Sequence, residues 1–281
     1  MSTPKPKRPL IRLTVESKEE LTPSMLRIRF HAPAFQDNGM SDAYLKFILG
    51  PDGPLLEDLP ERPTTRTYTV RAHDPAAGTV TVDFLTHGEA GLAAPWARRC
   101  APRAEDRLPG PPAAGGAGPP PRGARRCAPG DEILARGPGG KWSPRLDADF
   151  HLFVGDEAAL PAIEAGLERL PDDARGLVLV EADRHTRTLT APEGVEARWI
   201  VRDGAPYREE RLAEEVAALP WDELGDVSVF AHGERGAVKQ LRRVMKDREV
   251  PAERLSISGY WALGRIEDQF QAEKRLPIGK I

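Results

Sequence analysis

Two short runs carry the side chains best suited to chemistry: Arg66-Thr67-Tyr68-Thr69-Val70-Arg71 and Val82-Asp83-Phe84-Leu85-Thr86-His87-Gly88. Side chains alternate along a strand, so Arg66, Tyr68 and Val70 share one face while Thr67, Thr69 and Arg71 share the other. Arg66 has the fork geometry for a phosphate, and the Tyr68 ring can lie against an isoalloxazine. A flavin dinucleotide needs both, a cation for its pyrophosphate and an aromatic or hydroxyl edge for its ring. Taken alone, the hexapeptide reads more readily as a half-buried edge strand with two solvated arginines. Asp83 and His87 shift that balance by placing polar groups beside it.

A second candidate is the run Gly155-Asp156-Glu157-Ala158-Ala159-Leu160-Pro161-Ala162, between an expected strand and an expected helix. A dinucleotide phosphate meets backbone N–H groups at such a helix N-terminus. Here only Gly155 of a glycine-rich fingerprint is present, and Asp156 and Glu157 repel phosphate, so an ordinary strand-to-helix turn is the competing reading. Glu181, ending the next strand, can accept a ribose hydroxyl, whereas Arg184 and Arg187 can receive a 2′-phosphate; NADH and NADPH are not separated. Ser258-Gly259-Tyr260-Trp261 closes the last expected strand and puts two aromatics at the carboxyl edge of a sheet, where open α/β folds bind ligands. Packing between domains is the equal alternative. Lys239, Arg242, Arg243 and Lys246 form a basic helical stripe, read as a solvated face before a docking surface.

The elements that must position these residues fall into two grammars. Up to about residue 136, short alternating runs at 10–19, 25–30, 43–49, 66–71, 79–86 and 131–136 are separated by turns such as 20–24, several of them containing Pro or Gly, which predicts an antiparallel barrel. A short helix is expected at 91–99. Beyond Pro144, apolar runs at 150–154, 177–180, 197–201, 227–231 and 255–258 alternate with helical patterns at 159–170, 207–219 and 236–248, which predicts a parallel sheet covered on both faces. Residues 264–276 read as a helical tail. The expected domains are 1–146 and 147–281. Within the first, Ala97-Arg98-Arg99-Cys100-Ala101-Pro102 recurs unchanged as Ala124-Arg125-Arg126-Cys127-Ala128-Pro129, and residues 103–129 form a Gly/Pro-rich insert. Such composition buries too little to offset ordering entropy, so a disordered duplication is preferred to a lid.

Composition excludes several classes. With 40% hydrophobic and 30% charged residues and a net charge of -3, the chain is globular and lacks the basic excess of a nucleic-acid binder. No apolar run is long enough to span a bilayer, and residues 1–12 lack the apolar segment of a secretory signal, so a cytoplasmic address with no membrane insertion is expected. Two cysteines without metal-ligand spacing leave redox chemistry to an organic cofactor. No nucleophile triad is visible among the scattered histidines.

Arg66-Thr67-Tyr68-Thr69 resembles the flavin-binding Arg-x-Tyr-Ser/Thr motif of ferredoxin reductase-like proteins. Together with the runs 82–88, Trp96-Ala97, 155–162 and 258–261, it resembles the siderophore-interacting proteins, cytoplasmic ferric-siderophore reductases of bacteria. The resemblance spans nearly the whole chain except the insert. It implies an FAD-binding barrel joined to a nicotinamide-binding-like α/β domain, with FAD held by Arg66, Thr67, Tyr68, Thr69, Asp83, Phe84, Leu85, His87, Ala93, Ala94 and Trp96. Gly155, Asp156, Glu157 and Trp261 would meet NADH or NADPH, or a ferredoxin would supply the electrons instead. Lys46, matching a frequent family lysine, joins Arg265, Lys274 and Arg275 as candidates for a cationic pocket for the ferric siderophore. The chain departs from the family at Leu92-Ala93-Ala94-Pro95-Trp96, which lacks the usual serine hydroxyl before the tryptophan, and at the insert. A general NAD(P)H flavin or quinone reductase and a siderophore carrier without turnover are the rival expectations.

Overall fold

The computed structural model describes residues 8–51, 53–86, 96–97 and 128–281. The chain forms two compact units, one of Met1–Asn38 with Tyr44–Gly139 and one of Gly39–Ala43 with Gly140–Ile281. The division lies a few residues before the change of grammar near residue 146. Asp42 accounts for this: its carboxylate accepts the backbone N–H groups of Lys141 and Trp142 at 2.7 and 2.8 Å, drawing 39–43 into the second unit.

The first unit is the expected barrel. Its strands are β1 (Leu10–Thr22), β2 (Met25–His31), β3 (Tyr44–Gly50), the two-residue β4 (Gly53–Pro54), β5 (Thr65–Asp74), β6 (Thr79–Leu85) and β7 (Glu132–Gly139). They form one antiparallel sheet of order β4-β3-β5-β6-β2-β1-β7, and β7 also pairs with β3. That pairing closes the sheet and leaves β4 as an appendage; closure removes the unpaired edges an open sheet would expose. Alternation decides what lies inside. Ile11, Leu13 and Val15 of β1 and Leu26, Ile28 and Phe30 of β2 are buried, with more exposed residues between them. At the centre, Phe84 has ring neighbours Phe30, Phe47, Tyr68 and Trp96 at centroid distances of 6.4, 5.4, 4.4 and 5.6 Å. Of the expected helix at 91–99, only Trp96 and Ala97 lie among the described residues, and of the insert only its last two positions do.

The second unit holds β8 (Phe150–Asp156), β9 (Gly176–Ala182), β10 (Val195–Val201), β11 (Val227–Glu234) and β12 (Leu255–Trp261), all parallel, in the order β10-β9-β8-β11-β12. Every residue of β9 and of β11 is buried, as the near-continuous apolar runs predicted for a sheet covered on both faces. The helices are α1 (Leu160–Leu167), α2 (Arg211–Ala217), α3 (Arg235–Asp247) and α4 (Glu267–Glu273). Ala237, Val238, Leu241 and Met245 bury the inner stripe of α3, while Arg242, Arg243 and Lys246 are exposed and Lys239 reaches the Ile278 carbonyl at 2.6 Å. Three helices, α1, α2 and α4, are shorter than predicted. Tyr207 leaves the α2 pattern to send its hydroxyl to Glu234 at 3.3 Å. Gly264, at φ 70, turns the chain before α4 can start.

Candidate functional site

On the barrel, β5 carries the predicted residues, with Thr69 and Val70 both buried. Arg66 is 7% exposed and lies across from Phe47, the Tyr68 ring rests on Phe84, and Val70 is buried on the same side. Arg66 donates from Nη1 to the Thr65 carbonyl at 2.9 Å. Thr67 is exposed and Thr69 is buried. This donor set, a buried guanidinium beside an aromatic ring and a hydroxyl, fits the pyrophosphate and ring of a flavin dinucleotide.

The β6 residues are placed differently from the sequence reading. Asp83 is buried, and its carboxylate is held by both ends of the Arg27 fork on β2, at 2.7 and 2.8 Å. Arg27 carries no local signal of this role, because its partner lies on a strand distant in sequence. Phe84 is wholly enclosed, which makes its ring the floor under Tyr68. Leu85 is half-buried and Trp96 is buried edge-on to Phe84. His87, Ala93 and Ala94 lie outside the described residues.

Lys46 pairs in register with Thr67 on β5 and Arg136 on β7, so it projects from the wall opposite to Arg66 and Tyr68. Arg265 and Lys274 belong to the other unit. There Arg265 binds Glu273 at 2.6 Å, which also holds Arg235, and Lys274 Nζ lies 4.5 Å from the centre of the Phe270 ring. The paired guanidiniums of Arg235 and Arg265 hold the Glu273 carboxyl below its usual range. Both tail cations are therefore tied within their own segment.

The carboxyl edge of the parallel sheet gathers Gly155, Asp156, Glu157 and Trp261. Asp156 accepts from Trp261 Nε1 (2.8 Å), the Ala158 N–H (2.9 Å) and the Glu234 N–H (2.8 Å). Glu157 accepts from the Asp183 N–H at 3.2 Å. A Cβ at Gly155 would meet the His232 carbonyl at 2.5 Å, so this glycine serves strand packing. Glu181 is buried against Arg202 at 3.1 Å, and Arg187 is bound by Glu164. The residues present do not form a phosphate cradle for NADH or NADPH. Glu234 and Tyr207 were missed; the signal for Glu234 was a carboxylate directly between an apolar run and a helical pattern.

Two buried groups near this edge respond to pH in opposite senses. His232 stacks on Phe230 at 3.9 Å with Nε2 2.8 Å from Ser256 Oγ, and burial pushes its imidazole down from 6.5 to about 3. Burial pushes Asp156 up from 3.8 to about 6, against the pull of its three donors. Below 6.5 the unfolded chain binds a proton that folded His232 refuses, so that stability is lost as pH falls. Folded Asp156 takes up its proton before the unfolded chain does; its contribution is full below 3.8 and is lost as pH rises through about 6. At about pH 5 the two amount to losing roughly 2 and regaining roughly 1 kcal/mol. Asp156→Asn should therefore show a steeper fall in unfolding midpoint between about pH 7.5 and about pH 5 than the parent chain, and His232→Gln a shallower one. Parallel slopes in denaturant titrations would contradict both assignments.

A closed antiparallel barrel with an aromatic centre, followed by a five-stranded parallel α/β unit, is the two-unit fold also found in ferredoxin reductases. Residues 14–115 match the siderophore-interacting FAD-binding domain and residues 148–264 the siderophore-interacting protein domain. An uncharacterised protein of Mycobacterium tuberculosis is 36% identical, with 95% of each chain covered. The ferric vibriobactin reductase ViuB of Vibrio cholerae is 27% identical, covering 76% of this chain and 70% of its own. The siderophore-interacting protein SipS of Aeromonas hydrophila superposes with a TM-score of 0.75 at 29% identity, covering 96% of this chain and 97% of its own. The ferredoxin reductase of carbazole 1,9a-dioxygenase, at 14% identity and TM-score 0.62 over 92% of this chain and 70% of its own, shares the fold alone. The chain belongs to the siderophore-interacting protein family.

Proposed function

We propose that this protein holds FAD on its barrel and reduces siderophore-bound Fe(III) to Fe(II), so that the iron leaves its hard oxygen ligands inside the cytoplasm. The observation that carries the reading is the buried Arg66 beside the Phe84-backed Tyr68 ring, within a segment that matches a siderophore-interacting FAD-binding domain. The likeness to ferric vibriobactin reductase supports the choice of acceptor.

FAD, when bound, supplies the redox chemistry: it carries two electrons and releases them singly, so two Fe(III) become two Fe(II) and two protons are set free. The chain's own part is placement and field. Arg66 offsets the phosphate charge in a low-dielectric setting, where a guanidinium fork holds the anion most firmly. Tyr68 and the residues behind it cover one face of the ring and keep water from it. The buried Thr69 offers a hydroxyl from the other side of the strand. Lys46 adds positive potential on the outer wall, which favours the approach of an anionic ferric chelate.

Anaerobic reconstitution tests the reading. The purified chain should retain FAD through gel filtration, and after chemical reduction it should yield Fe(II), trapped by a ferrous chelator, on mixing with a ferric siderophore. A chain that retains no FAD would exclude the proposal; one that retains FAD but reduces only quinones would replace it with a general flavin reductase. Lys46→Ala should slow reduction of an anionic ferric siderophore by roughly two- to tenfold at low salt, and leave a neutral quinone unaffected. Equal losses on both acceptors would remove Lys46 from acceptor recognition.

A further inference from the structure

The strand order of the second unit reverses between β8 and β11. Ligands of open α/β sheets bind at such a crevice, and a dinucleotide does so by setting its pyrophosphate on the N–H groups of the adjoining helix ends. The two helix ends here are those of α1 and α3.

Both ends already hold carboxylates. Before α1, the Ala158 N–H is taken by the Asp156 side chain and the Ala159 N–H by the Asp156 carbonyl, each at 2.9 Å, and Pro161 has no N–H to offer. At α3, Glu234 accepts the N–H groups of Gly236 and Ala237, the latter at 3.0 Å, while its other oxygen accepts from the Leu263 N–H at 3.0 Å. The Glu234 N–H in turn binds Asp156 at 2.8 Å, so the two carboxylate residues are joined across the crevice.

The glycines of the crevice make the same point. Gly233, at φ 146, and Gly236 leave the kind of space that lets a backbone approach a phosphate closely. In this chain a Cβ at Gly233 would meet Asp156 Oδ2 at 2.6 Å, and one at Gly236 would meet Glu209 Oε1 at 2.5 Å. Further along the edge, two of the cations near a ribose phosphate are already neutralised, Arg202 by Glu181 and Asp183, at 3.1 and 3.4 Å, and Arg187 by Glu164, while Arg184 is exposed.

We infer that Asp156, Glu209 and Glu234 stand where the phosphates of a nicotinamide dinucleotide would sit and close this crevice to NADH and NADPH, so that electrons enter from a donor not anchored there. The three carboxylates are specificity-determining residues for the donor. The inference does not depend on ferric-siderophore reduction being the activity, because binding alone tests it.

The full-length chain is titrated with ADP-ribose and with 2′,5′-ADP, the anchoring halves of NADH and NADPH, by calorimetry near neutral pH. The parent chain should show no saturation at millimolar probe. Glu209→Ala and Glu234→Gln, separately and combined, should gain at least tenfold in affinity. Glu209 is exposed and tolerates truncation, and the glutamine keeps an acceptor for the α3 cap. Saturable micromolar binding to the parent chain overturns the inference. So does an unchanged affinity in Glu209→Ala that retains the parent's circular dichroism and unfolding midpoint, and this single variant decides the matter if those at Glu234 fail to fold. The readout is the same with or without FAD, so a failure to reduce iron leaves it intact.

Discussion

Phe84→Ala should destabilise the barrel by about 3–5 kcal/mol, the range for emptying a fully enclosed aromatic position. Phe84 lies within 6.4 Å, centroid to centroid, of Phe30, Phe47, Tyr68 and Trp96, so its removal opens a cavity that four rings cannot all collapse into. Phe84→Leu, which keeps most of the volume, should cost roughly half as much. The effect should extend to the cofactor, because Tyr68 loses the ring it rests on and gains freedom that FAD binding must then restrict. Hydrogen exchange distinguishes a local from a general loss: β1, β2, β5 and β6 should lose protection while the all-parallel β8–β11 strands keep theirs. A loss below about 1 kcal/mol in denaturant titration, or loss of protection across β8–β11 as well, would show that Phe84 is not the centre of an independently packed barrel.

What could be read from the chain and what could not follows the range of the interactions. Barrel strands and parallel strands were legible because burial on one face or two leaves a local imprint, alternation in β1 and β2 and unbroken apolar runs in β9 and β11. Arg66 and Tyr68 were legible as a pair for the same reason, since strand periodicity alone puts them on one face. Asp83 was not, because the Arg27 that claims its carboxylate comes from the neighbouring strand. Arg265 and Lys274 looked like pocket cations only while Glu273 and Phe270 were not known to be their partners.

The carboxyl edge shows the limit most plainly. Asp156 and Glu157 read as repelling phosphate from the sequence alone, whereas the bond from the Trp261 indole N–H to Asp156 is not visible there. Glu209 and Glu234 come from other parts of the chain, and only the parallel topology brings them to the same helix ends. A glycine-poor loop in the sequence thus suggested a weak nucleotide site; three converging carboxylates make it a filled one.

Arg66→Met should weaken FAD binding by roughly 10- to 150-fold, since a hydrogen bond to a charged group is worth about 1.5–3 kcal/mol and each 1.4 kcal/mol is tenfold. Methionine fills much of the space of the arginine stem, which separates lost charge from lost packing. Arg66→Lys should fall between the two, because an ammonium keeps the charge but cannot present a planar fork to a phosphate. The same changes should leave the FAD-free barrel nearly as stable as before. A buried cation costs desolvation that its attractions only partly return, so an apolar replacement of similar volume is close to neutral. Thr67→Ala, on the exposed side of β5, is the matched control and should bind FAD within about twofold of the parent, as surface truncations change little. Flavin fluorescence titrations at one ionic strength, paired with unfolding of the FAD-free protein, measure both effects. If Arg66→Met bound FAD as the parent does while unfolding far more easily, the guanidinium would be a structural element of the wall, and the cofactor's phosphates would have to be held by another part of the chain.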